Sequence, residues 1–126
     1  MRMPLATRYA DFDTKGHANN AVYLTYFEMA RHAAWVDHLG GDADFPFIIA
    51  EATVKFLSEA MIGDPLEIEL TTVEVRTKAW VWAYTIRNTR EARVVAEGRT
   101  VQVMYDYARH ATVPVPDALR GALAAL

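Results

Sequence analysis

The chain has 126 residues, enough for one domain of ordinary size and too few for two. Apolar residues make up 52% and charged residues 23%, which is a globular composition. With a net charge of −3 and no cysteine, it lacks the basic excess of a general nucleic-acid binder and excludes disulfides, thiolate nucleophiles and cysteine metal sites.

No apolar run approaches the ~18 residues of a membrane span, so no membrane association is expected. Met1-Arg2-Met3-Pro4 leads into strand-like residues without a signal-peptide core. A soluble cytoplasmic protein with one domain over residues 1–126 is the expectation.

Residues 2–9 predict a short first strand, and Pro4 puts it at a sheet edge, because proline donates no ladder hydrogen bond. Residues 10–19 form a polar loop. The spacing then predicts one long helix over 20–39: Val22, Tyr23, Tyr26, Phe27, Met29, Ala30, Ala33, Ala34 and Val36 share one arc at 100° per residue. Asn19 or Asn20 is expected to cap its start, and Gly40-Gly41 to end it.

Strands fill most of the remainder. Ile48, Ala50, Ala52, Val54 and Phe56 alternate with polar residues, and Gly63-Asp64-Pro65 marks a turn. Leu66, Ile68 and Leu70 give way to Val73 and Val75, which predicts a bulge near Thr71-Thr72. Trp80, Trp82, Tyr84 and Ile86 form the next strand, and Val95, Val101, Val103, Tyr105 and Tyr107 lie on the last. A final helix is expected over 116–125. Consecutive strands with short turns predict an α+β fold: a curved antiparallel sheet with one long helix. One helix covers one face. The other, with its tryptophans and valines, calls for a partner, so a homo-oligomer is expected.

Elimination narrows the chemistry. Ser58 is the only serine and sits in no G-x-S-x-G elbow. Glycine-rich phosphate loops and H-E-x-x-H are absent. The loop from Asp11 to Gly16 fails as a calcium loop, since Lys15 and Val22 stand where oxygen ligands belong. What remains is Asp11, Asp13, His17, Asn19 and Asn20 just before a helix. A helix start offers unpaired N–H groups to a developing oxyanion, and a nearby carboxylate supplies a nucleophile or base. The alternative is a capping loop whose carboxylates bond backbone N–H groups.

The run from Arg8 to Tyr23, with its D-x-D-x-x-G-H-x-N-N-x-x-Y pattern, and the following Tyr26-Phe27-Glu28-Met29-Ala30-Arg31 resemble the signature of hotdog-fold acyl-CoA thioesterases. The group most alike is the 4-hydroxybenzoyl-CoA and long-chain acyl-CoA thioesterase branch. Gly63-Asp64-Pro65 resembles that family's turn between its second and third strands. The H-G-G motif of the other large hotdog branch is absent.

The resemblance implies a hotdog fold, a dimer with a continuous sheet or a tetramer, no cofactor, no metal, and hydrolysis of an acyl-CoA thioester. It assigns Asp13 as the catalytic carboxylate and Asn20 as the residue whose backbone N–H polarises the carbonyl. His17 joins them in catalysis, and Asn19 lines the site. It leaves Asp11 as a loop-holding carboxylate, and Glu28 and Arg31 as structural residues at a subunit interface. Arg76, Thr77 and Lys78 either hold coenzyme A phosphates or form a solvated turn. Tyr23, Phe27, Trp80 and Trp82 either line an acyl pocket or pack the core. An acyl carrier protein as donor, and a non-catalytic acyl-CoA-binding module, are the alternatives.

Overall fold

The computed structural model describes residues 1–126. In chain order it has strand β1 (Arg2–Pro4) and helix α1 (Val22–His32), which runs on as a wider π-helical stretch over Ala33–His38. Strands β2 (Phe47–Phe56), β3 (Leu66–Val75), β4 (Ala79–Asn88), β5 (Arg93–Asp106) and β6 (Ala111–Thr112) follow, then helix α2 (Asp117–Ala124). The sheet order is β1-β3-β4-β5-β2, with β6 paired to β5. Every pairing is antiparallel. This is the expected α+β architecture, a curved antiparallel sheet holding one long helix.

The core lies between α1 and the inward face of the sheet. Leu66, Ile68 and Leu70 of β3 and Trp80, Trp82, Tyr84 and Ile86 of β4 are all buried there. They pack against Tyr26, Phe27, Ala30, Ala34 and Trp35 of the helix. Phe27 stacks on Tyr84 at 4.3 Å. It also fills the space beside Gly98, where any Cβ would collide with its ring and with Thr53 O. A residue without a side chain at 98 is what lets the helix seat so closely.

Several local expectations are corrected. The first strand spans only Arg2–Pro4, and a single 3₁₀ turn at Tyr9–Asp11 takes up the end of the expected span; it is an edge strand, as Pro4 requires. Neither Asn19 nor Asn20 caps α1: the N-cap is Ala21 and no side chain bonds it. The buried helix residues recur every four, as the pairs 22/23, 26/27, 30/31 and 34/35. The π-helical stretch widens the turn and carries Trp35 into the core, beyond the arc a uniform 100° step allows. Arg31 is buried as well.

The tryptophans are not on the uncovered face. Trp80 and Trp82 point at the helix, so only the valines remain from that argument for a partner. On β5 the register with β4 sets which residues face the helix. Thr100 and Gln102 are the buried inward residues, opposite Trp82 and Trp80, while Val101 and Val103 take the outward positions. The bulge in β3 falls between Thr72 and Glu74, one residue from its expected place.

β3, β4, β5 and β6 pair in sequence order, but β2 does not lie between β1 and β3. β2 pairs with β5 at the edge opposite β1. Residues 57–65 therefore cross the end of the sheet to reach β3. Leu57 and Ser58 N–H donate to Val95 O (2.9 and 3.1 Å), and Thr89 N–H donates to Pro65 O (3.0 Å). This crossing segment builds the site described next.

Candidate active site

The 11–19 loop closes on itself before α1 begins. Asn19 N–H donates to Asp11 O (2.9 Å), and Asp13 N–H to His17 O (2.8 Å). Gly16 N–H donates to Asp13 O (3.0 Å), and Gly16 holds φ +76°, a left-handed turn position suited to glycine. The crossing segment then clamps the loop from outside. Ala18 N–H donates to Ala60 O and Ile62 N–H to Gly16 O, both at 2.8 Å. Arg93 of β5 secures that segment, donating to Ser58 Oγ (2.7 Å) and Glu59 O (2.6 Å).

Between the loop, the first turn of α1, the end of β2 and the crossing segment lies an open cleft of about 820 Å³. Asp13, His17, Asn19, Asn20, Tyr23 and Glu59 are among its lining. The five sequence-assigned residues of the first motif are thus brought together.

The two aspartates of the loop differ sharply. Asp11 is buried, and both of its oxygens are occupied. Oδ2 accepts from Arg8 N–H (2.9 Å) and Tyr26 Oη (3.1 Å), and Oδ1 from Arg8 Nε (3.1 Å) and Nη2 (2.9 Å). Burial pushes its carboxyl up, but the Arg8 N–H, the Arg8 guanidinium and the Tyr26 hydroxyl outweigh that, so its pKa lies below the ordinary value. The same contact, added to burial, pushes the Tyr26 hydroxyl up.

Asp13 is exposed, and one oxygen is free. Oδ1 accepts from Lys15 N–H (2.9 Å) and His17 N–H (3.0 Å), and Oδ2 accepts from no group of the chain. The His17 N–H is the main reason its carboxyl titrates below the ordinary value; slight desolvation opposes it and the Lys15 N–H adds to it. The carboxylate is therefore ionised at neutral pH, held in one rotamer, and open on one side.

At the helix start Val22 N–H donates to Asn19 O (3.1 Å) and Leu24 N–H to Ala21 O (3.3 Å), while the Asn20 and Ala21 N–H groups donate to no group of the chain. These are the orphan donors of a helix N-terminus, at its partially positive end. His17 turns its ring toward Glu59, with Nε2 3.4 Å from Oε2. Tyr23 is buried at the cleft wall, edge-on to Tyr26 (5.9 Å) and Phe56 (5.3 Å), and burial pushes its hydroxyl up.

Arg76, Thr77 and Lys78 are not in this cleft. Their turn joins β3 to β4 at the end of the sheet opposite the crossing segment, ten-residue strands away (roughly 30 Å). Arg76 pairs with Glu74 (3.0 Å), and Lys78 Nζ lies 3.4 Å from Thr112 Oγ1. Sequence reading also missed Glu59 and Arg93. Both reach the site through the crossing segment, some 40 residues and more from the motif, and no local pattern marks them.

The sequence matches the thioesterase-like superfamily over residues 7–123. No curated protein matches it. Among solved structures, a thioesterase from Thermus thermophilus, complexed with coenzyme A and zinc, is 26% identical with a TM-score of 0.86, covering 98% of this chain and 91% of that one. A protein from Pseudomonas aeruginosa (23% identity, TM-score 0.91, 100% and 90% covered) shares the fold. So does a 1,4-dihydroxy-2-naphthoyl-CoA thioesterase from Synechocystis (20% identity, TM-score 0.86, 99% and 96% covered). The match spans nearly the whole chain, including the loop and helix start that form the cleft: this chain belongs to the thioesterase-like superfamily.

Proposed function

We propose that the chain hydrolyses an acyl-CoA thioester to the free acid and coenzyme A, with Asp13 as the catalytic carboxylate. The observation that carries this reading is the half-free Asp13, ionised and fixed in a cleft where two orphan N–H groups stand at a helix start. The thioester carbonyl oxygen accepts from the Asn20 N–H, where the negative charge of the tetrahedral state is stabilised. Either Asp13 Oδ2 attacks the carbonyl carbon, expelling the thiolate and leaving a mixed anhydride that water then hydrolyses to the acid and the regenerated carboxylate, or Asp13 takes a proton from a water that attacks the carbon, and the thiolate leaves and takes up that proton. His17, with Glu59 behind it, and Asn19 line the approach, and Tyr23 walls the acyl side.

The working unit in this reading is a homodimer. β2 is a ten-residue edge strand, exposed along most of its length, with no partner on its outer side. Such an edge is a template for pairing. Two-fold pairing of β2 with β2 of a second copy reverses that copy end for end. Its 76–78 turn then lies at the cleft end of the sheet, where Arg76, Thr77 and Lys78 serve coenzyme A phosphates.

The test is a panel of acyl-CoA thioesters monitored for free thiol. Thiol release by the wild-type protein, lost in Asp13→Asn, supports the reading; a panel without turnover contradicts it.

A further inference from the structure

Three carboxylates line the cleft. Asp11 is saturated by Arg8 and Tyr26, and Asp13 is the reacting group, which leaves Glu59 without a role. Glu59 lies outside residues 8–31 and 63–65, the stretches that carry the family resemblance. The fold nevertheless delivers it to one residue of the loop. Residues 60–62 run antiparallel beside 16–18: Ala18 N–H donates to Ala60 O and Ile62 N–H to Gly16 O, both at 2.8 Å, with Met61 paired to His17. On the other side Arg93 Nη1 holds the Glu59 carbonyl at 2.6 Å. With its backbone anchored twice, Glu59 sets its carboxylate beside the His17 ring, Oε2 3.4 Å from Nε2. Catalytic hydrogen bonds are often this long in a free enzyme and tighten when substrate binds.

His17 links this carboxylate to Asp13. Its N–H donates to Asp13 Oδ1 (3.0 Å) and is the main cause that holds the Asp13 carboxyl below its ordinary value. The Lys15 N–H and the charge of a protonated His17 ring add to it, so ring and carboxylate lie within electrostatic reach of each other. Nε2 faces Glu59, and Nδ1 bonds to no group of the chain. A carboxylate at one ring nitrogen fixes the tautomer: Nε2 carries the proton, and Nδ1 keeps its lone pair. The ring is then a base, and the carboxylate behind it stabilises the imidazolium formed when it takes a proton. Asp13 suits the other half of the chemistry. The N–H groups that hold it ionised weaken it as a proton acceptor and leave one oxygen free to attack.

We propose that the hydrolytic water is activated by the His17 ring, with Glu59 as the positioning residue behind it, while Asp13 acts as the nucleophile. The inference rests on the thioesterase reading above and selects between its two routes. Asp13 Oδ2 attacks the thioester carbon, the C–S bond breaks, and the thiolate leaves a mixed anhydride behind. His17 Nδ1 then takes a proton from a water whose oxygen attacks the acyl carbon. The bond from that carbon to the Asp13 oxygen breaks, which releases the acid and restores the carboxylate. The imidazolium gives up its proton, which balances the thiolate released in the first step.

The experiment reads the two steps separately. Thiol release from a coenzyme A ester that the wild-type protein hydrolyses is followed by stopped flow over the first turnover, and again at steady state. Glu59→Gln is expected to release the first equivalent of thiol per site within about threefold of the wild-type rate. Its steady-state turnover should then be slower by roughly 10- to 100-fold, the worth of one charge-assisted hydrogen bond. His17→Gln should show the same split, with steady-state turnover down by roughly 10²- to 10⁴-fold. Hydroxylamine attacks an anhydride without a base. After subtraction of the enzyme-free reaction, it should restore turnover to both variants and give Asp13→Asn nothing. The Glu59 side chain is exposed, so a thermal melt of Glu59→Gln should match wild type. A Glu59→Gln variant that keeps both phases, loses both together, or ignores hydroxylamine overturns the proposal. The wild-type protein gives a test in which no variant has to fold: acyl hydroxamate must form above the enzyme-free rate, and its absence overturns the proposal too. In each case, turnover lost in Asp13→Asn spares the thioesterase reading. A wild-type protein that hydrolyses no ester of the panel sinks both.

Discussion

Asp11 and Asp13 stand two residues apart in one loop, and the structure gives them opposite environments. Asp11 is turned into the protein, where an arginine, a backbone N–H and a tyrosine hydroxyl consume its acceptor capacity. Asp13 is turned into the cleft with one oxygen fixed by two N–H groups and the other free. A saturated carboxylate stabilises a fold, and a half-satisfied one is available for chemistry. Burial and hydrogen-bond inventory thus separate two residues that the D-x-D motif presents as alike.

The largest expected effect follows from removing the free oxygen's charge. Asp13→Asn keeps the size and an acceptor for the two N–H groups but abolishes nucleophilicity and basicity. kcat should fall by ~10²–10⁴ or more with little change in KM, because the oxyanion donors are backbone groups. Steady-state thiol release checks both constants.

Next comes the structural partner. Asp11→Asn turns an amide donor toward Arg8 and Tyr26, which also donate. A buried donor left facing donors costs roughly 1–3 kcal/mol, a drop of roughly 4–12 °C in melting temperature. Turnover per folded molecule should stay within about threefold of wild type. A thermal melt showing no loss would mean that the Asp11 contacts contribute nothing to stability.

The pH dependence sharpens the same contrast. Asp11 has a folded pKa below its unfolded value. Its contribution is fully present above the unfolded pKa, about 4, and is lost as pH falls through the folded value. Wild type should therefore lose stability from about pH 4 downward, and Asp11→Asn should lose less over that window. Parallel acid denaturation curves for the two proteins would contradict this. Tyr26→Phe, which removes one of the four bonds to Asp11, should cost about 0.5–1.5 kcal/mol in a urea melt.

The smallest effect concerns Arg76 and Lys78, which are surface charges far from the cleft of their own protomer. Alanine at both positions should raise KM for coenzyme A esters by about two- to fivefold at low salt and leave kcat unchanged. An unchanged KM would remove the turn from the site.

The sequence made the helix, the antiparallel strands and the D-x-D loop legible because each is written in a short window. What it hid was set by long-range pairing. No local pattern places β2 beside β5, so the crossing segment and the contributions of Glu59 and Arg93 to the cleft could not be read. Trp35 escaped because a uniform helical period does not include a π-helical stretch. Arg31 was read as lying off the apolar arc, yet it is buried, because the buried residues recur every four rather than every 3.6. That Thr100 and Gln102 face the helix is set by the register with β4, which their sequence neighbours do not specify. Spacing alone left open the choice between a capping loop and an acyl-transfer site, and the resemblance is what favoured the second.

The central claim is that the two carboxylates divide chemistry from stability. The most direct measurement is thiol release and thermal melting of Asp13→Asn and Asp11→Asn side by side in one buffer. The account predicts that Asp13→Asn melts close to wild type and has lost turnover, while Asp11→Asn melts lower and still turns over. An active Asp13→Asn beside a folded but inactive Asp11→Asn would contradict it.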